Sequence, residues 1–478
     1  MYNAAEIRKA TGVHEIGNAL NKLLLEYDGY RARGLKLDIQ RGKPCPEQLD
    51  ISSEALDWHG DYMAGGVDAR SYGGDFEGTP ECRRLFGELL GAAPEQVFVW
   101  GNSSLNLMYD LVQKALFHGA FGGKPWLQSG YVCPWQGVGG DGVRGDGARG
   151  NGALGSGALG SGALGSGALG SALLGNPARK LKFLCPAPGY DRHFAITESL
   201  GFELIAIPME PEGPNMDAVE SYVNNDESVV GIWNVPKYSN PTGVTFSDET
   251  VRRFAALKPK SDAFRVFWDN AYFAHSIYGE PDRLLNLREE AARRGNPHMV
   301  YEIASTSKIT FAGGGICVVA ASAENIRHIS RQFALQSINS DKLNQLRHTR
   351  FIKSPAHLRE IMARHAEIIR PKFEAVGASL KAAFGANGLC EWSRPTGGYF
   401  ISVDAPDGCA ARALELAAKV GVRFTPAGAT YPCRRDPRDR NIRIAPTVPS
   451  LEELGLAMEI LDVCVCIAYL ERKRALNL

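Results

Sequence analysis

The chain has 478 residues, with 53 Lys and Arg against 53 Asp and Glu and a formal net charge of +0. That length supports a large core divided into two domains, or one large domain with a smaller lobe. The charge balance argues against a nucleic-acid or anionic-membrane partner.

Residues 1–34 mix charges with Leu at helical spacing and lack an apolar signal core, so a helix is expected. Residues 35–39 read as extended, ending at Arg41-Gly42-Lys43-Pro44. The Gly-rich stretch from Tyr72 to Gly78 leads into a helix with Leu85, Leu89 and Leu90 on one side. Val97-Phe98-Val99-Trp100 reads as a strand. Gly101-Asn102-Ser103-Ser104 follows and opens a helix with Leu105, Met108, Leu111 and Val112 apolar. Free backbone N–H groups and the helix dipole make such a junction a ready anion site.

Residues 141–170 repeat a five-residue unit six times, with glycine at two of every five positions. Glycine at that density loses too much backbone entropy to order without strong packing. Residues 128–176 are therefore expected to be a disordered insertion. From 182 to 308, strands and helical stretches alternate, which predicts a mainly parallel sheet.

Three apolar runs in this region each close on a polar cluster. Val229-Val230-Gly231-Ile232-Trp233 precedes Asn240-Pro241-Thr242-Gly243. Val266-Phe267-Trp268 precedes Asp269-Asn270-Ala271-Tyr272. Residues 299–304 precede Ser305-Thr306-Ser307-Lys308. The clusters thus fall at strand ends, where α/β sheets bind ligands. Alone, each is an ordinary turn or a surface residue. Together, an Asn, an Asp with a Tyr three residues on, and a Lys suggest pyridoxal phosphate.

Beyond about 344 come long helices, then strands at 397–403 and 441–444. The apolar tail, 451–470, is broken by Glu452, Glu453, Glu459 and Asp462, so an amphipathic helix is expected rather than a membrane span. The ten cysteines are scattered without Cys-x-x-Cys, which points to reduced thiols in a cytoplasmic protein and to no metal site.

The order Tyr72, Gly101-Asn102-Ser103, Tyr190, Asn240-Pro241-Thr242-Gly243, Asp269/Tyr272, Ser305/Lys308, Gly397-Gly398-Tyr399 and Arg443 resembles the fold-type I, class I aminotransferases that use pyridoxal 5'-phosphate. Pro188-Gly189-Tyr190-Asp191-Arg192-His193 and Ser307-Lys308-Ile309-Thr310-Phe311-Ala312-Gly313 look like the divergent bacterial aspartate aminotransferase subgroup, subgroup Ic. The resemblance implies the α/β fold of type I transferases: a large domain with a mainly parallel sheet between helices, and a smaller α+β domain from both chain ends. Residues 1–60 and 343–478 would form the small domain and 61–342 the large one.

The resemblance also implies roles. Lys308 would form the Schiff base and carry the proton, which requires a lowered pKa. Asp269 would pair with the ring nitrogen, and His193 would orient Asp269. Tyr272 and Asn240 would bond the cofactor's 3′ oxygen, and Tyr190 would stack on its ring. Gly101, Asn102, Ser103 and Ser305 would take the phosphate, with Tyr72 from a second subunit of a homodimer. Arg443 would grip the substrate α-carboxylate, beside Gly42 and Asn240 at the substrate mouth. Most family members place an arginine eight positions after the lysine, on the phosphate; this chain has Ile316 there. Residues 334–337, matching the stretch that usually lends a second arginine from the partner, contain none, so Arg192 is the candidate reader of an acidic side chain, with Arg41 behind it.

The expected activity is transamination between an acidic L-amino acid (aspartate or glutamate) and a 2-oxo acid. The alternatives are another specificity on the same cofactor, such as an aromatic or kynurenine aminotransferase or a C–S lyase, or a non-catalytic aminotransferase-like effector-binding protein. The pattern begins by about residue 35, which leaves no room for a DNA-reading domain before it.

Overall fold

The computed structural model describes residues 12–129, 180–386 and 388–476, together with Ile7. The repeat at 141–170 lies outside them.

Helix α1 (Val13–Arg31) opens the described chain, and the short α2 (Pro46–Asp50) follows. The central sheet then forms from β1 (Val97–Val99), β2 (Lys182–Ala187), β3 (Glu203–Glu210), β4 (Gly213–Pro214), β5 (Val229–Asn234), β6 (Arg265–Asp269), β7 (Val300–Ser305) and β8 (Cys317–Ala320). Between them lie α3 (Ser104–His118), entered from β1, and α4 (Asp191–Ser199), entered from β2. The strand order is β1-β8-β7-β6-β5-β2-β3-β4. The run β7-β6-β5-β2-β3 is parallel; β8 is antiparallel to β7 and to β1, and β4 to β3. Every residue of β5, β6 and β7 is buried. That is why these strands read as unbroken apolar runs and not as alternating ones. In register, Ile303 of β7 lies opposite Asp269, and Asn234 of β5 opposite Trp268, so the three strands deliver their polar ends side by side.

The chain continues through α5 (Lys342–Ile352), the long α6 (Pro355–Phe384), β9 (Glu391–Trp392), β10 (Ile401–Asp404), α7 (Ala410–Val420), β11 (Asn441–Ile444) and α8 (Leu451–Ala475). Strands β9, β10 and β11 form a small antiparallel sheet. Helix α1 packs on α8, in one apolar cluster with residues of α6, α7, β10 and β11.

Two expectations need correction. The strand read at 397–403 joins the small sheet only from Ile401; Gly397 makes a single antiparallel bridge to Ser276 instead. Gly398 has φ +80, and a Cβ at Gly397 would lie 2.4 Å from the His275 carbonyl, so this stretch is a tight crossing over Tyr238 and not a ladder. The terminal helix is not amphipathic. Twelve residues of α8, from Leu454 to Leu470 and including consecutive Val463 to Ala468, are buried, because α1, α6 and α7 surround it. Among the described residues, no helix is long and apolar enough to cross a membrane.

The two chain ends are joined by a parallel pair, Leu37–Asp38 on Val422–Arg423. Gly421 precedes it with φ +97, and its carbonyl accepts from the Leu37 N–H at 2.9 Å. A Cβ there would fall 1.9 Å from the Leu35 carbonyl oxygen. Gly421→Ala is expected to cost about 1–3 kcal/mol, seen as a lower urea midpoint. An unchanged midpoint would show that the junction gives way freely.

Candidate active site

The polar ends of β5, β6 and β7 open into one cavity. It is lined by Gly42, Tyr190, Asn240, Asp269, Tyr272 and Lys308, with Val235, Ala271 and Phe400 supplying apolar wall. Lys308 follows β7 by three residues, Asp269 ends β6, and Asn240 stands on the loop after β5. Sequence distance therefore collapses at the carboxyl edge of the sheet.

Lys308 keeps part of its surface open to the cavity, and its Nζ lies 4.8 Å from the centre of the Tyr272 ring. Burial lowers the lysine's pKa, against the raising influence of Asp269. Burial likewise holds the Tyr272 hydroxyl well above its ordinary value, so it stays protonated. Asp269 is 2% exposed. Its Oδ2 accepts from His193 Nε2 at 2.9 Å. Its Oδ1 is buried with no partner among the described residues. His193 is itself fixed, its ring stacked on Trp233 at 4.6 Å and meeting Tyr190 edge-on at 4.9 Å.

Arg443 reaches the same cavity wall from β11. Its Nε donates to Thr425 Oγ1 at 3.2 Å, and its Nη1 donates to Asn240 Oδ1 at 3.2 Å and to Asp191 Oδ1 at 2.9 Å. The guanidinium lies over the Phe400 ring, 4.8 Å from its centre. Gly42 is required by the same ring, since a Cβ there would meet Phe400 at 2.5 Å.

The start of α3 forms a second corner. Gly101 has φ +57 with open space at its Cβ position, and Ser103 caps Asn106 N–H at 3.4 Å. Asn102 Nδ2 donates to Gly313 O at 3.2 Å, tying this corner to the loop after Lys308. Ser305 Oγ lies 2.9 Å from Ser307 Oγ. Ile316 is buried in an apolar cluster with Ala304 and Val318.

Two sequence candidates stand outside the cavity. Arg192 shares a neighbouring groove with Asn102, Ser103 and Asn106; its side chain is 55% exposed and its Nε is 3.9 Å from Asp191. Tyr72 is 76% exposed. Its loop is held by Asn339, which bonds both the N–H and the carbonyl of Gly73, and by Lys342 Nζ on the Ser71 and Gly73 carbonyls. Sequence reasoning gave no role to Phe400 or Asp191. Each adjoins a quoted motif residue, Tyr399 or Tyr190, but a cross-lobe contact with Arg443 leaves no local pattern.

A family model described as aspartate amino-transferase matches residues 12–139 and 163–476. The chain belongs to the aspartate aminotransferase family. It is 40% identical to a Mycolicibacterium smegmatis protein named only provisionally as an aminotransferase, over 93% of this chain and 94% of that one. It is 37% identical to the aspartate aminotransferase of Corynebacterium glutamicum, over 93% of this chain and 92% of the relative. The crystal structure of an aspartate transaminase from Corynebacterium glutamicum superposes with TM-score 0.83 at 36% identity, covering 96% of this chain and 97% of that one. Membership in this aminotransferase family makes the chain a transaminase, on the type I transferase fold.

Arg443 stands behind the cavity wall, on Asn240 and Phe400. Arg443→Lys keeps the charge and loses the planar fork. It is expected to raise KM for the amino donor roughly 10- to 100-fold with a smaller change in kcat. Steady-state kinetics check this; an unchanged KM would remove Arg443 from the substrate grip.

Proposed function

We propose that this aminotransferase moves an amino group between an acidic L-amino acid, aspartate or glutamate, and a 2-oxo acid, with pyridoxal 5'-phosphate held at Lys308. The observation that carries the reading is the meeting of Lys308 and the half-bonded Asp269 carboxylate in one cavity, with Arg443 bonded to Asn240 in its wall. The residues present suit that group. Asp269 Oδ1, buried without a partner, fits a protonated ring nitrogen. Tyr190 offers an aromatic face, and Tyr272 and Asn240 offer polar groups in the same lining. Gly101, Asn102 and Ser103 at the helix terminus, with Ser305, suit a phosphate. Tyr72, presented outward on its anchored loop, would reach that phosphate in a second copy, giving a homodimer.

When bound, the cofactor supplies a carbonyl that captures amines and a ring that takes up electrons from the substrate's α-carbon. The protein's own work is separate. Arg443 binds and orients the α-carboxylate through its planar fork. Asp269 Oδ1 holds the proton on the ring nitrogen. Lys308 Nζ, its pKa lowered by burial, would take the proton from the substrate's α-carbon and deliver it to the cofactor's carbonyl-derived carbon. Phe400 and Val235 exclude water beside it. The acidic specificity is supported by the Corynebacterium glutamicum relative, an aspartate aminotransferase, and by Arg192 in the neighbouring groove. The nine described cysteines are free, in keeping with a reducing compartment such as the cytoplasm.

Lys308→Ala is expected to abolish transamination with 2-oxoglutarate and to change the absorbance spectrum of bound cofactor, while thermal melting stays close to wild type. Turnover at the wild-type rate would sink the assignment. Arg192→Ala is expected to lower kcat/KM for aspartate and glutamate on the order of 100-fold and to spare alanine or leucine. Equal losses for all donors would instead mean that Arg192 only braces Asp191.

A further inference from the structure

Lys308 is held by its backbone as well as placed by its strand. Its carbonyl oxygen accepts two side-chain hydrogen bonds: from His275 Nε2 at 3.2 Å and from Tyr399 Oη at 3.1 Å. Behind Tyr399, Gln48 Nε2 donates to Tyr399 Oη at 3.1 Å and to His365 Nδ1 at 3.0 Å. Gln48 Oε1 accepts from Cys45 N–H at 3.1 Å. Gln48 is 0% exposed.

The proton positions along this chain are determined. A carbonyl only accepts, so His275 carries its proton on Nε2, and Tyr399 spends its single proton on Lys308. Tyr399 must then accept from Gln48, whose second amide proton goes to His365. Both histidines are neutral in this arrangement, and burial pushes His275 down to about 3 and His365 to about 4. A charged His275 would face Lys308 directly.

The elements involved come from four parts of the chain, His275 standing on the loop after β6. Gln48 lies in α2, six residues after Gly42 at the cavity wall. Tyr399 precedes Phe400, which packs on Arg443, and His365 lies in α6. Ser52, just beyond α2, adds a direct bond to the next carbonyl, Ile309 O, at 3.4 Å.

We propose that Gln48, Tyr399 and His275 are positioning residues for Lys308: they fix its peptide carbonyl from the N-terminal segment, and so set where its amine stands relative to the substrate mouth. The inference rests on Lys308 being the cofactor lysine.

The test uses full-length protein loaded with pyridoxal phosphate. Gln48→Leu keeps the bulk and removes both donors; Tyr399→Phe keeps the ring and removes one. Each is expected to lower kcat roughly tenfold, the scale of one lost hydrogen bond, with KM for the amino donor within about twofold. Each should also move the pH midpoint of the bound cofactor's absorbance change. The double variant should fall no further than the worse single one, because the two groups act in series. Tyr399→Phe carries the test if Gln48→Leu does not fold. A wild-type absorbance change with kcat and midpoint unmoved in the variants overturns the relay alone. Additive losses in the double variant overturn it as well. A wild type with no pH-dependent absorbance change overturns the assignment of Lys308, and the relay with it.

Discussion

Asp269 sets the terms for its surroundings. It ends β6 of the eight-stranded sheet, buried, with one carboxylate oxygen bonded to His193 and the other unpartnered among the described residues. A buried ionised carboxylate costs several kcal/mol unless opposite charge and hydrogen bonds offset it, on the order of the penalty for any buried ion. His193 supplies one bond, and Trp233 and Tyr190 pin the His193 ring so that this bond cannot drift. The remaining compensation has to come from the cavity side. Burial disfavours the charged form of Lys308, so a protonated heterocycle is the ligand that would complete the pair. The wish for a cationic ring is thus built into the strand end itself.

Arg443 poses the same problem with the opposite sign. Its buried guanidinium is balanced by Asp191 and steadied by Asn240, Thr425 and the Phe400 face. Asp191 in turn stands between two arginines, with Arg192 Nε at 3.9 Å on its exposed side. On the proposed function, an incoming carboxylate would meet an arginine whose charge is shared and would compete with Asp191 for Nη1. Such binding would favour the ligand that offers a better fork partner than Asp191, moderating affinity while keeping orientation.

How much of this the sequence disclosed follows from what each residue is packed against. Asn240, Asp269 and Lys308 were legible because strands buried on both faces leave unbroken apolar runs, and the polar residue closing each run has to lie at the sheet's edge. Gly101-Asn102-Ser103 was legible because a helix start has a local signature. Gln48 was not: its partner Tyr399 is 351 residues away, and nothing in Pro46-Glu47-Gln48-Leu49 distinguishes a buried amide from a surface one. The stretch at 397–400 was misread because two glycines before an aromatic and β-branched run resemble a strand start, whereas their task is to let the backbone cross Tyr238. The helix at 451–475 was misread because periodic acids imply one wet face, yet Asp462 is turned inward, where burial raises its pKa and Ser379 bonds it.

The position eight residues after Lys308 bears on how an anion would be held. Ile316 packs with Ala304, Val318 and Phe86 between the sheet and its covering helix, so a guanidinium there would enter an apolar cluster. The glycine run before it is braced instead. Asn102 bonds the Gly313 carbonyl, and Asn344 Nδ2 bonds the carbonyls of Gly314 and Gly315 at 3.1 Å and 2.9 Å. Gly315 passes so close to Ser307 that a Cβ would lie 2.9 Å from its backbone nitrogen. On the proposed function, the phosphate then meets hydroxyls, the amide edge at the start of α3 and the field of that helix, in a loop whose carbonyls are tied off by two asparagines. Rigidity then matters as much as charge: a cradle holds a dianion best when its donors need no rearrangement to meet it, and the cation beside this one is Arg192, in the groove that Asn102 and Ser103 also line.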